Sequence, residues 1–459
     1  MIRIFNRSVP VRGFALRVAE ALLVFVALFL AAKSGIGEEL TWAAANYVQI
    51  GLVGSVILLS LYCFDTYEPQ VTTHQARSLS RIIEAMGLTM LIVAALRLAW
   101  PWVHIDVPSL LGGIGMLGAA LALSRYVFAE FVSSPEFAQP AIVWGSGPLA
   151  ASIIRELHRR PDVGIRVLGV VEHSKVAKTF EGVPYLGPPE KIWPMAESGE
   201  TRRIIVAIGE RRGRLPVDRL MALKAAGFVI EDGKELYEEL TGKVWLDGFS
   251  VASLLFSRRF QSSWFGLFVN RAISMFFALI VLLITAPVLA LTALAVRLDS
   301  KGPIILRQIR IGMNGQPFTL FKFRSMFVGA ERAQTTVPAT KHDPRCTRVG
   351  KWIRRLRLDE LPQLFNILRG DMYFIGPRPF VPDQEASLTQ LIPNYRQRWA
   401  VRPGATGWAQ VNRDYCASIE DNIEKLSYDL FYIKNRSLGL DIVTVLKTFK
   451  ILLLGRGGR

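Results

Sequence analysis

The sequence predicts a membrane protein in three parts. These are a transmembrane bundle of four helices, a central doubly wound α/β domain, and a C-terminal, mainly helical α/β domain with a membrane helix of its own. The chain of 459 residues is 51% hydrophobic and has a mean hydropathy of +0.29, which is high for a soluble protein. Short apolar strands alternate with helices in the middle of the chain. A last long apolar segment, with a proline at its centre, precedes a strongly cationic region.

The charge balance narrows the partners that the chain can have. The formal net charge is +17, which in a soluble protein would indicate nucleic acid. Here the cations surround apolar segments, so they indicate anionic membrane lipids and phosphorylated substrates, and we expect no nucleic-acid partner. The cysteines Cys63, Cys346 and Cys416 are far apart, which predicts reduced thiols without disulfides or zinc. The five histidines are equally scattered, so a histidine-based metal site is not expected.

Residues 1–132 contain four apolar segments that approach the ~20 residues needed to span a bilayer. They lie at roughly Phe14–Ala32, Tyr47–Phe64, Ile82–Trp100 and Val107–Phe128. No small-x-small cleavage site follows the first segment, so we interpret it as a retained helix and not as a signal peptide. The N-terminal arm and the loop with Arg77 and Arg81 hold the cations, whereas the loop with Glu38 and Glu39 holds almost none. The positive-inside rule therefore places the N-terminus in the cytoplasm and returns the chain there near Ser133.

Residues 139–260 predict a soluble, doubly wound parallel sheet of the Rossmann-like type. Three apolar strands are expected at Ala141–Trp144, Val167–Val171 and Arg203–Ile208. The first strand ends in Gly145-Ser146-Gly147-Pro148-Leu149-Ala150, a G-x-G-x-x-A turn, and Glu172 follows at the distance of a ribose-binding acid. Gly145, Gly147 and Glu172 are therefore candidate nucleotide-binding residues, although Pro148 removes one N–H from the turn. An NAD-dependent oxidoreductase or epimerase is the alternative function, but no Tyr-x-x-x-Lys follows the turn.

The last apolar segment, at 268–298, opens a domain that we place at 265–459. It is long enough to span a bilayer, but Pro287 lies in its middle, and proline removes a helix hydrogen bond and kinks the chain. A full crossing would place everything after Ser300 outside the cell. We expect a break at Ala286-Pro287 and a re-entrant helix, because the cationic region that follows would need cytosolic phosphorylated substrates.

Asp359 and Glu360 are the leading candidates for chemistry. Leu361, Leu364, Phe365 and Leu368 show helical spacing, so the two carboxylates could simply cap a helix that starts near Asp359. Pro362 and the many preceding cations weaken that interpretation. A carboxylate beside cations and a helix N-terminus should have a lowered pKa. Asp359 would then be ionised at neutral pH and able to attack phosphorus or to bind Mg²⁺.

Four arginines and a lysine are candidates for holding phosphates. In Phe321-Lys322-Phe323-Arg324, the cations Lys322 and Arg324 would share one face of a strand. Gly376-Pro377-Arg378-Pro379 presents Arg378 from a stiff turn, and Arg354 precedes the carboxylates. Arg402 opens the turn-rich loop Arg402–Gln410. A solvated strand face and ordinary surface turns are the alternatives for these motifs taken singly.

The C-terminal helix carries an apolar stripe that allows two interpretations. Its members are Ile442, Val445, Leu446, Phe449, Leu452 and Leu453. They are typical of an amphipathic helix in the membrane interface, and equally of a core helix in the same domain. We expect Lys447 and Lys450 on the polar side.

Taken together, the C-terminal motifs resemble the bacterial sugar transferases, the polyprenyl-phosphate hexose-1-phosphate transferases. The matching pieces are Ala286-Pro287, Phe321–Met326, Leu358–Asn366, Arg369–Met372, Gly376–Pro379 and Arg402–Gln410. The resemblance covers roughly Phe265 to the C-terminus. The four N-terminal helices and the Rossmann-like domain are similar to the large members of the monotopic phosphoglycosyl transferase superfamily, which start exopolysaccharide or O-antigen assembly. Family members often carry Ser where this chain has Ala286.

The resemblance implies a two-step transfer through a covalent phosphosugar. Asp359 would attack the β-phosphorus of a UDP-sugar and release UMP, and undecaprenyl phosphate would then take the sugar phosphate. Mg²⁺ would lie at Asp359, Glu360 would assist by positioning the metal or activating the lipid phosphate, and Lys322, Arg354 and Arg378 would hold phosphates. We therefore expect the protein in the bacterial inner membrane with its catalytic domain facing the cytoplasm, and a homodimer is compatible with the sequence.

Overall fold

A computed structural model of the chain describes most of its length. The described residues are 2–4, 7–34, 43–72, 75–99, 107–134, 137–173, 178–209, 215–255, 264–330, 343–413 and 418–454. The structure divides into two compact units, the first formed chiefly by Ser8–Thr241 and the second by Gly242–Arg459. The membrane helices and the Rossmann-like domain, which we predicted as separate domains, thus form one unit. The residues after Gly242, which we assigned to the Rossmann-like domain, belong to the second unit.

The first unit begins with helices that confirm the predicted bundle. Its first elements are β1 (Ile2–Ile4), β2 (Arg7–Val9), α1 (Val11–Ser34), α2 (Ala43–Cys63), α3 (Pro69–Thr72), α4 (Gln75–Ala99) and α5 (Val107–Ser133). Among the described residues, α1, α4 and α5 each contain a stretch apolar and long enough to cross a membrane, and α2 contains a shorter one. Arg77 and Arg81 lie in the first turns of α4 and not in a loop. Glu38, Glu39 and Cys416 lie outside the described residues.

A buried ion pair joins the helices of the bundle. Nη2 of Arg125 on α5 donates to a carboxylate oxygen of Glu20 on α1 at 2.8 Å. Arg125 also donates to the carbonyl of Thr66 after α2, and its guanidinium lies 4.8 Å from the ring centre of Tyr67. Because both charges are buried, each stabilises the other, and loss of either would leave an uncompensated charge.

The rest of the first unit is the predicted doubly wound sheet. Its elements are β3 (Gln139–Trp144), α6 (Pro148–Arg159), β4 (Ile165–Val171), β5 (Thr179–Phe180), β6 (Val183–Gly187), α7 (Ile192–Glu197), β7 (Arg203–Val206), α8 (Val217–Ala225), β8 (Val229–Asp232) and α9 (Gly233–Thr241). The strand order is β5-β6-β4-β3-β7-β8, and all neighbours pair in parallel except β5 with β6. Chain order reverses beside the central β3, as in Rossmann-like sheets.

The second unit combines short sheets with many helices. Its elements are α10 (Val251–Leu255), α11 (Trp264–Asp299), β9 (Ile305–Ile311), β10 (Pro317–Phe323), α12 (Arg348–Arg355), α13 (Gln363–Arg369), β11 (Tyr373–Ile375), α14 (Pro382–Leu391), β12 (Gly404–Thr406), α15 (Trp408–Asn412), α16 (Ile419–Asn435) and α17 (Leu438–Leu453). The strands β9 and β10 form an antiparallel hairpin, and β11 pairs with β12 in parallel.

The long helix α11 differs from the expected broken helix. It is continuous over 36 residues and contains Pro287 without an interruption, so the break at Ala286-Pro287 is not a gap in secondary structure. Both halves of α11 pack on the same unit. Ala278 belongs to a core cluster with Leu364, and Val296 belongs to another with Phe323. Only 11% of the apolar stretch is buried, which leaves most of its length free to contact lipid.

The C-terminal helix α17 presents its apolar stripe outward. All six members of the stripe are exposed, between 41% and 57%. Its inner face instead holds Leu440 and Thr444, and Lys447 donates to Oδ1 of Asn412 at 2.6 Å. The core-helix alternative is therefore wrong for the apolar stripe, and the arrangement agrees with a helix that lies on a membrane surface.

Candidate active site

Asp359 and Glu360 lie on a single 3₁₀ turn, Leu358–Glu360, between α12 and α13. Arg357, which precedes the turn, has a φ of 55°, a left-handed conformation that costs energy for a residue with a side chain. Helix α13 begins only at Gln363, after Pro362, and no side chain caps it. The expectation that a helix begins at Asp359 is therefore wrong, and so is the alternative that these carboxylates are its caps.

Glu360 is surrounded by three cations. Its Oε1 accepts from Nη2 of Arg378 at 2.7 Å and lies 3.4 Å from Nζ of Lys322. Its Oε2 lies 3.7 Å from Nη1 of Arg357. Burial by itself would raise the pKa of Glu360, but attraction to Arg378, Lys322 and Arg357 outweighs it and holds the pKa well below its usual range. Glu360 is therefore ionised at neutral pH and anchors the cations.

Asp359 has the opposite environment. Burial, followed by repulsion from Glu360, raises its pKa to about 6, although Lys322, Arg354 and Arg378 attract its charge. Our expectation of a lowered pKa was wrong in direction, because it counted the cations and not the burial or the neighbouring carboxylate. Within the described residues, the Asp359 carboxylate accepts no hydrogen bond and forms no ion pair. It is ionised above about pH 6 and is free to react.

A cationic cleft lies beside the two carboxylates. It is open to solvent and contains the cations Lys322 from β10, Arg310 from β9 and Arg378. The remaining lining residues are Leu320, Gln363, Pro379 and Gly404. Three cations around one small cleft suit the oxygens of a phosphate or diphosphate. The structure thus brings together Asp359, Glu360, Lys322 and Arg378 as the sequence predicted.

Each backbone carbonyl of residues 377–380, the loop that carries Arg378, accepts a hydrogen bond. The carbonyl of Pro377 accepts from the N–H of Gly404 at 3.0 Å, and that of Phe380 accepts from the N–H of Ile311 at 3.0 Å. Nη1 of Arg310 donates to the carbonyl of Pro379 at 3.1 Å. The carbonyl of Arg378 itself accepts from Nη2 of Arg398 at 2.8 Å. Because the backbone is fixed at four successive positions, the Arg378 guanidinium is presented with little freedom to lose on binding.

Arg398 is the buried support of this loop. Its Nη1 donates to Oε1 of Glu385 at 3.1 Å and to the hydroxyl of Tyr395 at 2.6 Å. Its Nη2 donates to Oδ2 of Asp429 at 3.0 Å. Arg398 could not be identified from the sequence, since it stands in no motif and its carboxylate partners lie 13 and 31 residues away. Arg310 was missed too, although it lies between Ile309 and Ile311 on β9 just as Lys322 lies between two phenylalanines on β10.

Replacement of Arg398 by Leu is expected to destabilise the second unit by about 3–5 kcal/mol, because Glu385 and Asp429 would remain buried without their cation. The thermal unfolding midpoint in lipid nanodiscs measures this effect. Arg396→Leu is the matched control, since Arg396 lies on the same turn but is exposed. An equal, small change in both variants would contradict a supporting role for Arg398.

Arg324 lies outside the cleft, in contrast to our prediction. Its Nη1 donates to the carbonyl of Lys301 at 3.0 Å, and its Nη2 donates to the carbonyl of Ser300 at 2.6 Å. The strand β10 ends at Phe323, so the alternation that would place Arg324 beside Lys322 stops one residue too early. Arg324 is buried and binds the carbonyls that follow the last residue of α11, so it does not face a substrate.

Arg354 and Arg402 lie apart from the ion pairs of Glu360. Nη1 of Arg354 donates to Sγ of Cys346 at 3.0 Å, and its charge is one of those that attract the Asp359 carboxylate. Nη1 of Arg402 donates to the hydroxyl of Tyr373 at 3.2 Å. Arg354 therefore borders the carboxylates, whereas Arg402 belongs to a different group of side chains.

The carboxylates suit a magnesium site whose other ligands come from the substrate phosphates. They do not form a complete metal site by themselves. In the part of the chain that the structure describes, no group of three His, Cys, Asp or Glu residues could hold a metal. Mg²⁺ is usually held by one or two carboxylates together with substrate phosphates. Asp359 offers a carboxylate of that kind, whereas the oxygens of Glu360 are already paired with cations.

The glycine turn of the first unit is formed as predicted, but one of its N–H groups already donates to the candidate ribose-binding acid. Gly145 has a φ of 124°, and a Cβ there would lie 2.7 Å from the carbonyl oxygen of Ala207, so only glycine fits. Gly147 precedes α6. Oε2 of Glu172 accepts from the N–H of Ser146 at 3.2 Å, so the acid binds the turn itself. The nucleotide-binding role of these residues stays a prediction.

Two family models match the chain. A model described as bacterial sugar transferase matches residues 265–455, and one described as CoA-binding domain matches residues 62–214. The first covers the cleft and both carboxylates. The second covers the glycine turn and the last helices of the bundle.

Several curated relatives are similar to this chain. The UDP-glucose:undecaprenyl-phosphate glucose-1-phosphate transferase of Xanthomonas campestris pv. campestris is 30% identical over 98% of this chain and 96% of its own. The undecaprenyl-phosphate glucose phosphotransferase of Komagataeibacter xylinus is 31% identical over 80% of this chain and 69% of its own. A relative from Aeromonas hydrophila, a UDP-N-acetylgalactosamine-undecaprenyl-phosphate N-acetylgalactosaminephosphotransferase, is 41% identical over 49% of this chain and 52% of its own. These relatives do not support the oxidoreductase alternative.

Proposed function

Because the chain belongs to the bacterial sugar transferase family, we propose that it transfers a hexose-1-phosphate from a UDP-sugar to undecaprenyl phosphate and releases UMP. One observation carries the mechanism. Asp359 accepts no hydrogen bond among the described residues and lies beside a cleft whose cations are anchored by Glu360. An unpaired carboxylate next to a cationic cleft suits nucleophilic attack on phosphorus.

The first step would form a covalent phosphosugar on Asp359. An oxygen of the Asp359 carboxylate attacks the β-phosphorus of the UDP-sugar, and the bond from that phosphorus to the oxygen bridging the two phosphates breaks. UMP leaves with the bridging oxygen. Lys322 and Arg378 neutralise the charge that develops on the phosphoryl oxygens, and they need little reorganisation because Glu360 and the loop already position them.

The second step would regenerate the carboxylate. An oxygen of undecaprenyl phosphate attacks the same phosphorus, and the acyl-phosphate bond to Asp359 breaks. The product is undecaprenyl diphosphate sugar, the lipid-linked unit on which exopolysaccharide or O-antigen assembly would begin. We assign Glu360 to holding Arg378 and Lys322 in place, since both of its oxygens are paired with cations.

A bound Mg²⁺ would share Asp359 with the diphosphate oxygens and would neutralise charge on the leaving UMP. This agrees with a site in which the protein supplies a single unpaired carboxylate. Chelation of divalent cations would then remove activity, and added Mg²⁺ would restore it.

We place the protein in the bacterial inner membrane, with the N-terminus and the second unit in the cytoplasm. The cations of α1 and α4 support this orientation through the positive-inside rule. A re-entrant α11 is supported by the contacts of both its halves with one unit, since a helix that crossed the membrane would carry one half away from that unit. The exposed apolar stripe of α17 would lie on the same membrane surface.

The direct test supplies purified protein in nanodiscs with undecaprenyl phosphate, Mg²⁺ and a panel of UDP-sugars, and follows UMP release and lipid-linked product. The relatives act on different sugars, so the panel includes UDP-glucose and UDP-N-acetylgalactosamine. We expect one UDP-sugar to give UMP and a lipid diphosphate sugar in equal amounts. UMP from none of the sugars, or release of UDP in place of UMP, would reject the proposed function.

A further inference from the structure

Two arginines of the second unit lie close to the ring of Tyr373. The guanidinium carbons of Arg402 and Arg436 each lie 5.2 Å from the centre of the Tyr373 ring. Arg402 also donates to the Tyr373 hydroxyl at 3.2 Å. The ring itself is buried, so it fixes both guanidinium groups against one rigid surface. Both guanidinium groups thus share one aromatic partner.

Neither arginine has an anionic partner in the described part of the chain. No carboxylate there forms an ion pair with Arg402 or Arg436. Nε of Arg436 is buried and has no hydrogen-bond partner in the structure. Asp441 is close enough for Arg436 to attract its charge, but it accepts from the Tyr432 hydroxyl at 2.8 Å, and burial raises its pKa to about 6. Asp441 is ionised above about pH 6 and offsets part of the charge of Arg436, but no carboxylate among the described residues pairs with Arg402. The two arginines therefore keep net positive charge, which is typical of a site for an anion.

The position of the pair indicates an anion that belongs to a lipid. Tyr373 is in β11, which contacts both α11 and α17. These two helices expose apolar side chains along their length, including Phe268 and Phe449. Tyr373 also pairs with Gly404, which lines the cationic cleft. An amphiphile could therefore lay its chain along the apolar helices while its head reaches the two arginines beside the cleft.

We propose that Arg402 and Arg436 form a binding site for the phosphate of the acceptor lipid, next to the cleft that takes the diphosphate of the sugar nucleotide. This inference rests on the proposed function and adds a second phosphate site to it. Guanidinium groups bind phosphate oxygens through paired hydrogen bonds, so two of them suit a doubly charged phosphomonoester. The cleft cations Lys322 and Arg378 are already engaged by Glu360 at the other site.

Separate measurement of the two half-reactions tests this site independently of the catalytic one. We would prepare Arg402→Gln, Arg436→Gln and the double variant in nanodiscs of neutral lipid, with Arg396→Gln as the control on an exposed arginine of the same unit. With a UDP-sugar alone, the burst of UMP should match that of the unaltered protein in every variant. The KM for undecaprenyl phosphate should rise on the order of tenfold for each arginine lost, as expected for a charged hydrogen bond, and should stay constant in the control.

Other outcomes would overturn the inference. An unchanged KM in the double variant would show that the pair does not bind the acceptor. Loss of the UMP burst in Arg402→Gln or Arg436→Gln would assign that residue to the sugar nucleotide. An effect that appears only when phosphatidylglycerol is added would assign the pair to a phospholipid headgroup. No burst in the unaltered protein would instead reject the proposed function, so the two failures are distinguishable.

Discussion

Asp359→Asn is expected to abolish transfer and to leave the protein folded. The amide cannot attack phosphorus, so neither UMP nor a covalent phosphosugar should form, and loss of a nucleophile typically costs on the order of 10⁴-fold or more in rate. Intact-mass measurement after mixing with a UDP-sugar should show the phosphosugar adduct on the unaltered protein and none on the variant. Asp383→Asn is the matched control, because Asp383 is exposed on α14 of the same unit. An adduct on Asp359→Asn would remove Asp359 from the nucleophile's role.

The same variant should also be more stable at neutral pH. The folded-state pKa of Asp359 is about 6, above its ordinary value of 3.8, so the folded protein binds the proton more tightly than the unfolded chain. The ionised group therefore destabilises the folded state increasingly as the pH rises from about 4 to about 6, and this cost persists above pH 6. Asn carries no charge and avoids it. A higher unfolding midpoint at pH 7.5, with the difference shrinking below pH 4, would identify a strained catalytic carboxylate, whereas a lower midpoint would contradict it.

Much of the fold could be predicted because it depends on patterns within single segments. Apolar length predicted α1, α2, α4, α5 and α11, and strand-turn-helix alternation predicted the sheet around β3. The boundary after the sheet could not be predicted in this way. Val244 and Leu254 pack into the core of the second unit, and only tertiary contacts reveal to which unit a short polar-apolar segment belongs.

The charged residues of the candidate site could also be predicted only in part. The motifs identified Asp359, Glu360, Lys322 and Arg378, because cations and carboxylates near one turn can be found in the sequence. The direction of the Asp359 pKa shift depends on burial and on the orientation of Glu360 toward the cations. Arg398 was missed for a related reason. It acts through the carbonyl of Arg378 and a buried network, so no pattern of neighbouring residues marks it.

Replacement of Glu360 by Gln is expected to change the pH dependence of the first half-reaction strongly. Glu360→Gln removes the repulsion that helps to raise the pKa of Asp359, and it frees Arg378 and Lys322 to attract the Asp359 charge. The pKa of Asp359 should therefore fall. The acid limb of the UMP burst, which we expect near pH 6 in the unaltered protein, should move to lower pH.

The rate of that burst should also drop, on the order of 10- to 100-fold at pH 7.5, because Arg378 and Lys322 lose the anion that positions them. Single-turnover UMP release between pH 4.5 and pH 8 measures both quantities. Glu420→Gln, on an exposed position of α16, is the matched control. If Glu360 instead activated the acceptor phosphate as a base, the burst would keep its rate at pH 7.5, and only the second half-reaction would slow. The shifted limb thus tests the repulsion between the two carboxylates, and the slowed burst shows that Glu360 positions the cations and is not a proton acceptor for the second step.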